Sequence, residues 1–205
     1  MKRQHNQKKM KNLNKFVTIT IPIIFSMVCS KHGYEDRYGP FYIQDSTTIF
    51  MDGDMGSRVD EKFENLIEDY PNIKLVTFGE CPGSRDDEAM IRAATLLRNS
   101  GINTHLLSTS IIESGAVDFY LAGNTRTSEP GSLIGVHAWS DGNKSATDYP
   151  EEDLAHQLYI QYYIFCGFTV EDAKELYIYF IHAAPPDDIH YMTEEEIEDY
   201  HMTTN

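Results

Sequence analysis

The sequence predicts an α/β protein whose mostly parallel sheet is covered by helices. From about residue 47 the chain alternates between short apolar segments typical of strands and amphipathic segments typical of helices. Glycine or proline stands at several of the boundaries, as at Gly53, Pro71 and Gly101. Strict alternation favours parallel strands joined by covering helices. With 205 residues, 41% of them hydrophobic, one domain can bury a substantial core.

Each element is assigned from its own pattern. Strands are predicted over 47–53, 72–79, 102–109 and 131–137, and helices over 57–71, 84–101, 115–123, 151–166 and 169–184, with a short acidic helix near the C-terminus. In the first helix, Val59, Phe63 and Leu66 share one face. The second helix has acidic residues in its first turn and Gly101 at its end, which are ordinary helix boundary signals.

The predicted helix 151–166 is long and carries an apolar stripe. Leu154, Leu158, Tyr162 and Phe165 recur at helical spacing. The stripe either covers the sheet or packs against a partner subunit, and both arrangements need the same residues. A homo-oligomer is therefore one expectation from this segment.

Residues 1–30 have the layout of a secretory signal peptide. They contain six Lys or Arg residues and no acidic residue, and an apolar run extends from Phe16 to Cys29. This run of 14 residues is shorter than the ~20 that a stable membrane-spanning helix needs. We expect cleavage after Ser30, and a periplasmic or secreted protein.

The remaining chain divides into an N-terminal extension, 31–46, and a domain, 47–205. A lipid anchor on Cys29 is the alternative to plain cleavage, although Val28 before it is bulkier than that processing usually accepts. Membrane contact is thus expected only through the signal segment or a lipidated Cys29.

The exported domain is strongly acidic. Without residues 1–30 the chain keeps 11 Lys and Arg against 32 Asp and Glu, a net charge of −21. This charge repels nucleic acid and anionic lipid, so nucleic acid is not expected as a partner. No histidine lies three or four residues after Cys81 or Cys166, and we expect neither a metal nor a cofactor. The two cysteines could pair in an oxidising compartment, which their spacing does not decide.

Two predicted strand-to-helix turns carry groups suited to acyl transfer. In "ECPGSRDDE", a Pro-Gly pair before a helix is expected to leave the amides of Gly83, Ser84 and Arg85 free to bind an anion. In the next turn, Ser114 and Gly115 follow the third strand closely. Both turns lie at the carboxyl ends of parallel strands, where such folds bind ligands. A carbonyl bound there would meet a serine nucleophile and backbone N–H donors.

His137 ends the fourth predicted strand and is the candidate base. Asp187 and Asp188 are available to orient its ring. Each residue also has a structural alternative, since Ser114 could cap the following helix and His137 could be a hydrogen-bonded histidine at a loop edge. One serine can fill both roles, so the spacing leaves them open.

Four short motifs then occur in a recognisable order. They are "CPGS" (81–84), "ESGAVDFYLAG" (113–123), "NTRTSEPGSLIGVH" (124–137) and "PPDDIHYMTEEEIEDY" (185–200). From about residue 48 to 200 the chain resembles the Clp-peptidase/crotonase superfamily, especially its exported bacterial ClpP-like proteins. There a Pro-Gly-Gly turn, a serine opening a small-residue helix and a strand-ending histidine follow one another. Here 23 residues separate the serine from the histidine, and Ser84 replaces the second glycine of the turn.

The resemblance implies a ClpP/crotonase-like fold of stacked ββα units, with a mostly parallel sheet and a long projecting helix. It also implies a serine peptidase that acts on a peptide or protein substrate. Ser114 would be the nucleophile, His137 the base and Asp188 the residue that orients the base, with Asp187 as the alternate. The oxyanion hole would consist of the amides of Ser84 and Gly115, with Gly83 in the same turn.

Three functions remain open on the sequence. The first is an exported serine hydrolase that forms an acyl-enzyme, and the second is a catalytically inactive binding or assembly module on the same scaffold. The third is the acyl-CoA chemistry of the crotonase branch, which needs the backbone donors but no Ser–His pair. Export and the negative charge argue against a polyanionic cytosolic cofactor.

Overall fold

The computed structural model describes residues 36–204. Within this range eight strands form one sheet, and six α-helices and two short 3₁₀ turns accompany it. The strands are β1 Arg37–Tyr38, β2 Phe41–Ile43, β3 Thr48–Met51, β4 Leu75–Cys81, β5 Asn103–Glu113, β6 Arg126–Ser128, β7 Leu133–Val136 and β8 His190–Tyr191. The α-helices are α1 Val59–Asp69, α2 Asp87–Asn99, α3 Gly115–Leu121, α4 Gln157–Phe165, α5 Val170–Ala183 and α6 Glu194–Asp199.

The centre of the sheet is parallel, as the alternation of strands and helices predicts. The strand order is β1-β2-β3-β4-β5-β7-β8, and β6 also pairs with β5. All pairs from β3 to β7 are parallel, whereas β1, β2 and β8 join antiparallel at the two edges. The short strands β1, β2, β6 and β8 are absent from the sequence assignment. At two or three residues each they are too short to show a period.

A cluster of four phenylalanines anchors α3 in the core. Phe119, from the middle of α3, lies 5.6 Å from the rings of Phe41 and Phe63 and 6.4 Å from that of Phe78, measured between ring centroids. All four side chains are fully buried. Because α3 begins directly after Ser114, this packing fixes the position of that residue.

The predicted helix 151–166 is shorter in the structure. A 3₁₀ turn, Leu154–His156, precedes α4, and the Asp153 side chain caps this turn by accepting a hydrogen bond from the Ala155 amide. The His156 ring bonds to the carbonyl of Pro150 and to the hydroxyl of Tyr177. These polar contacts hold the entry to α4 in a tighter turn than an α-helix.

The apolar stripe of this segment lies mostly on the surface. Leu154 is 83% exposed, Leu158 48% and Phe165 39%, while Tyr162 is buried. The opposite side of α4 packs inward through Tyr159, Ile160 and Tyr163. Three of the four stripe residues therefore do not cover the sheet.

The predicted signal peptide 1–30, the predicted cleavage after Ser30 and Cys29 lie outside the described residues. Among residues 36–204, no helix has the length and apolar character needed to cross a bilayer.

Candidate active site

Three neighbouring parallel strands end at one edge of the sheet. β4 ends at Cys81, β5 at Glu113 and β7 at Val136. Their register aligns Cys81 with Ile112, and Glu113 with Gly135. The three segments that continue from these ends, which contain Gly83–Ser84, Ser114 and His137, therefore emerge together, as expected for ligand-binding loops of such sheets.

Ser114 has a strained backbone at the junction between β5 and α3. Its φ is 52° and its ψ −131°, a region that residues with a side chain rarely adopt. Such a conformation costs about 1–3 kcal/mol. It is held by the packing of α3 and by the hydrogen bond from the Ser114 amide to the Gly135 carbonyl, 3.0 Å. The Ser114 hydroxyl makes no capping hydrogen bond, so the serine is not a conventional side-chain cap.

The turn after β4 lies directly against Ser114. Gly83 has a φ of 123°, and a Cβ added there would lie 3.0 Å from the Ser114 Cβ. A Cβ on Gly115 would lie 2.4 Å from the Ser84 Oγ and 3.1 Å from the Ser84 amide nitrogen. A side chain at 115 would collide with Ser84, and a side chain at 83 would be strained by the positive φ and would crowd Ser114. The positive φ falls on Gly83, so serine at position 84 is not strained.

The amides predicted to bind an oxyanion have no acceptor. Within residues 36–204, neither the Ser84 nor the Gly115 N–H donates a hydrogen bond, whereas the Met55 amide and carbonyl bond to the two sides of the same turn. The bonds are Met55 N–H to Gly83 O and Arg85 N–H to Met55 O, both 2.9 Å. The prediction that the Arg85 amide is free for an anion is therefore wrong, because the Met55 carbonyl already accepts its hydrogen bond. The turn is thus held rigidly while two adjacent N–H donors stay available for a ligand.

His137 lies in the same cavity as Ser114. Both residues line it together with Gly115, and the cavity volume is about 50 Å³. No hydrogen bond joins the two side chains, and the buried Nδ1 of His137 has no partner among the described residues. His137 is therefore not the internally hydrogen-bonded histidine of the structural alternative.

The predicted orienting residues lie outside this cavity. Asp187 and Asp188 are exposed, and the Asp188 carboxylate accepts a hydrogen bond from the Ile189 amide. β8 pairs with β7 so that His190 lies opposite Val136. Continuing that register places Ile189 beside His137 and the two aspartates beyond it. Contact between His137 and either aspartate is not formed here and stays a prediction.

Comparison with known proteins identifies the architecture. No protein-family model matches the chain, and no curated protein sequence matches it. Among solved structures, a variant of the 1510-N membrane-bound stomatin-specific protease in complex with a substrate peptide superposes with a TM-score of 0.50 and 18% identity, over 77% of this chain and 72% of that one. A second variant gives the same TM-score and identity, over 77% and 76%. ClpP1 from Listeria monocytogenes gives 0.47 and 15%, over 78% and 89%.

The chain has a ClpP/crotonase-like fold. The likeness between the sequence motifs and this superfamily is confirmed at the level of the fold. In the ClpP/crotonase-like sheet of this protein, the candidate nucleophile, base and N–H donors all lie at the edge where the parallel strands end.

The sequence assignment missed two carboxylates in this ClpP/crotonase-like cavity. Asp118, from α3, and Asp87, from the first turn of α2, both line it. Asp118 is only 8% exposed, and its Oδ1 accepts a hydrogen bond from the Tyr163 hydroxyl, 2.8 Å. Asp118 is four residues after Ser114, in the first turn of α3, and both residues line the cavity. An aspartate inside the otherwise apolar run "GAVDFYLAG" was the available signal.

Burial raises the pKa of the Asp118 carboxyl from 3.8 to about 7. The hydrogen bond from Tyr163 stabilises the charged form and opposes this shift, while the negative charge of Asp87 adds to it. Asp87 itself accepts hydrogen bonds from the hydroxyls of Ser84 and Tyr159. Two carboxylates, those of Asp87 and Asp118, thus line the cavity next to Ser114, and we call this pair the acidic floor.

Aromatic side chains form most of the remaining wall. The rings of Trp139, Tyr159 and Tyr177 stack in sequence, with centroids 6.4 and 6.0 Å apart. The Trp139 indole N–H donates to the Tyr177 hydroxyl, 2.9 Å, which fixes the orientation of both. The cavity is therefore preformed.

Cys81 and Cys166 are buried and unpaired, so the disulfide that the sequence left open is not formed. Within residues 36–204 no cluster of three or more His, Cys, Asp or Glu side chains is arranged to hold a metal ion.

Proposed function

We propose that the protein is an exported serine peptidase that works through an acyl-enzyme. Ser114 is the nucleophile, His137 the general base, and the amides of Ser84 and Gly115 form the oxyanion hole. A peptide is the proposed substrate because the stomatin-specific protease with this fold was solved with a substrate peptide. Export rests on the basic and apolar layout of residues 1–30.

One observation carries this proposal. Ser114 holds a costly positive φ in the cavity that His137 lines, although its hydroxyl bonds to no described residue. A strained serine at a strand-to-helix turn, beside unused N–H donors, is the arrangement of an exposed nucleophile. A residue with only a packing role would gain nothing from this strain.

The proposed chemistry follows from these positions. His137 takes the proton from the Ser114 hydroxyl as its Oγ attacks the substrate carbonyl carbon. The amides of Ser84 and Gly115 then stabilise the negative oxygen that develops. The protonated imidazole gives the proton to the leaving amine, and water releases the acyl group by the same route in reverse.

The third member of the triad is proposed as Asp188, with Asp187 as the alternate. The buried Nδ1 of His137 has no partner among the described residues and can donate a hydrogen bond to a carboxylate. The turn that contains both aspartates enters β8 next to the histidine. The proposed triad requires this turn to bring one of the two carboxylates to the Nδ1 of His137.

Labelling by a fluorophosphonate tests the proposal. We expect the wild-type protein to be labelled at one residue, Ser114, and Ser114→Ala to be unlabelled. Ser100→Ala, at the exposed end of α2, is the matched control and should label like the wild type. A folded wild-type protein that is never labelled would rule out the hydrolase.

The oxyanion hole gives a sharper prediction. Gly115→Ala places a methyl group 2.4 Å from the Ser84 Oγ and 2.8 Å from its Cβ, which forces the two turns apart. We expect the labelling rate to fall by about 10²-fold, the usual effect of losing one oxyanion donor. Adding Ser84→Gly removes both colliding atoms and should restore part of the rate. If Gly115→Ala labels at the wild-type rate, these amides are not the oxyanion hole.

A second candidate function is a binding or assembly module on the same scaffold. The exposure of Leu154, Leu158 and Phe165 along one side of the α4 segment favours it, because this stripe is available to a second copy of the chain. Light scattering of the domain distinguishes the cases. An oligomer that Leu158→Glu dissociates supports assembly through this stripe, whereas a monomeric wild type excludes it.

A further inference from the structure

We propose that the cavity beside Ser114 selects a substrate residue with a cationic, lysine-type side chain, and that Asp118 determines this selection. The inference rests on the proposed peptidase and names its substrate class: the residue whose carbonyl is attacked would place its ammonium group against Asp118.

The first argument is that the acidic floor lacks a cation. Of the residues that line the cavity none is Lys or Arg, and neither Asp87 nor Asp118 forms an ion pair with any residue of 36–204. A buried carboxylate without a counter-charge is costly, and a ligand cation relieves that cost. The site is therefore electrostatically complementary to a positive group.

The second argument is the unused acceptor on Asp118. Its Oδ1 accepts the Tyr163 hydrogen bond, but no described residue hydrogen-bonds to its Oδ2, although the residue is only 8% exposed. The backbone of the same residue is held by the Tyr162 hydroxyl, which donates to the Asp118 carbonyl, 2.5 Å. The carboxylate is thus positioned rigidly with one oxygen free for a donor.

The third argument is the composition and size of the walls. Trp139, Tyr159, Tyr163, Tyr177 and Phe180 line the cavity, and aromatic faces attract an ammonium group as well as the methylenes that lead to it. A volume of about 50 Å³ exceeds that of one water probe of ~10–15 Å³ several times. The cavity is therefore large enough to take several non-hydrogen atoms of a side chain.

The fourth argument is that Asp118 and the proposed nucleophile line the same cavity. Ser114, Gly115 and Asp118 line one continuous cavity. A side chain that enters it therefore lies beside Ser114, which brings charge recognition next to the bond to be cleaved.

Binding of n-butylammonium to the full chain tests the inference without any need for hydrolysis. Trp139 is the one tryptophan in the sequence and lines the cavity, so its fluorescence reports occupancy directly. At pH 8, where Asp118 is largely ionised, we expect a saturable change with n-butylammonium and at least about tenfold weaker binding of the neutral isostere n-butanol.

Asp118→Asn should abolish this preference, so that the amine and the alcohol bind alike. Asparagine keeps the acceptor for the Tyr163 hydroxyl, and circular dichroism checks that the variant folds. Asp199→Asn, an exposed change of the same charge, is the control and should bind like the wild type. No saturable response to the amine, or an undiminished preference in Asp118→Asn, would overturn the inference.

The proposed nucleophile and the proposed selectivity are tested by separate experiments. Fluorophosphonate labelling decides whether Ser114 is a nucleophile, and Trp139 fluorescence decides whether the cavity takes a cation. In the active enzyme, peptide esters with lysine should be cleaved at least about tenfold faster, by kcat/KM, than those with norleucine, and Asp118→Asn should equalise them. A wild-type ratio near one would also overturn the inference.

Discussion

His137→Gln is expected to slow the labelling of Ser114 by a fluorophosphonate by at least about 10³-fold. A neutral serine hydroxyl is a weak nucleophile near pH 7 and needs a base to take its proton. Among the titratable groups of the cavity, His137 has no hydrogen-bond partner within residues 36–204, so its ring is available to Ser114. The pseudo-first-order labelling rate measures this effect without a known substrate.

His105→Gln is the matched control. His105 lies on β5 and does not line the cavity, and its ring bonds to the Thr127 hydroxyl on β6. Loss of this ring should leave the labelling rate unchanged. If His137→Gln labels as fast as the wild type, the base is another group, and the roles assigned to this edge of the sheet are wrong.

Asp118→Asn is expected to stabilise the protein increasingly as the pH rises from about 4 to 7. The native carboxyl holds its proton up to a pKa of about 7, whereas the unfolded chain loses it near 3.8. Between these values the native state binds more protons, so the stability of the wild type falls with rising pH. At 1.36 kcal/mol per pKa unit, the wild type loses on the order of 4 kcal/mol of its free energy of unfolding. This loss is fully present above pH 7 and absent below pH 4.

Urea unfolding at a series of pH values measures the difference in free energy of unfolding between the wild type and Asp118→Asn. The other titrating groups contribute equally to both proteins and cancel in this difference. Tyr163→Phe gives a second check. It removes the hydrogen bond that favours the carboxylate, so the pKa of Asp118 should rise further and the stability loss should extend above pH 7. If the difference in free energy of unfolding between the wild type and Asp118→Asn does not change with pH, the carboxyl of Asp118 is not buried without a compensating charge.

Much of the site follows from local sequence rules. Ser114 and the turn of Gly83 and Ser84 each follow an apolar strand, and the ends of parallel strands meet at one edge. The order of elements therefore sufficed to bring Ser114, Gly115 and His137 to one cavity. It could not decide whether the Ser114 hydroxyl caps its helix, because that depends on a backbone angle which packing imposes.

Other features depend on contacts that no local pattern records. An aspartate in a helix is ordinarily expected at the surface. Asp118 is buried because Tyr162 and Tyr163 of α4 cover it and hydrogen-bond to it. The shortening of the segment before α4 depends on the His156 hydrogen bonds to Pro150 and Tyr177. The third member of the triad was predicted from the motif that contains Asp187 and Asp188. In the register of β7 and β8 these aspartates lie past the position beside His137, so the spacing in the sequence could not predict a contact with its ring.

A crystal structure of the fluorophosphonate-treated protein tests the central claim most directly. We predict a bond from phosphorus to the Ser114 Oγ, a phosphonyl oxygen about 2.7–3.1 Å from the amides of Ser84 and Gly115, and the His137 ring within about 3.2 Å of the Ser114 Oγ. Phosphonate attached to another residue, or an imidazole on the far side of the cavity from Ser114, would contradict the account.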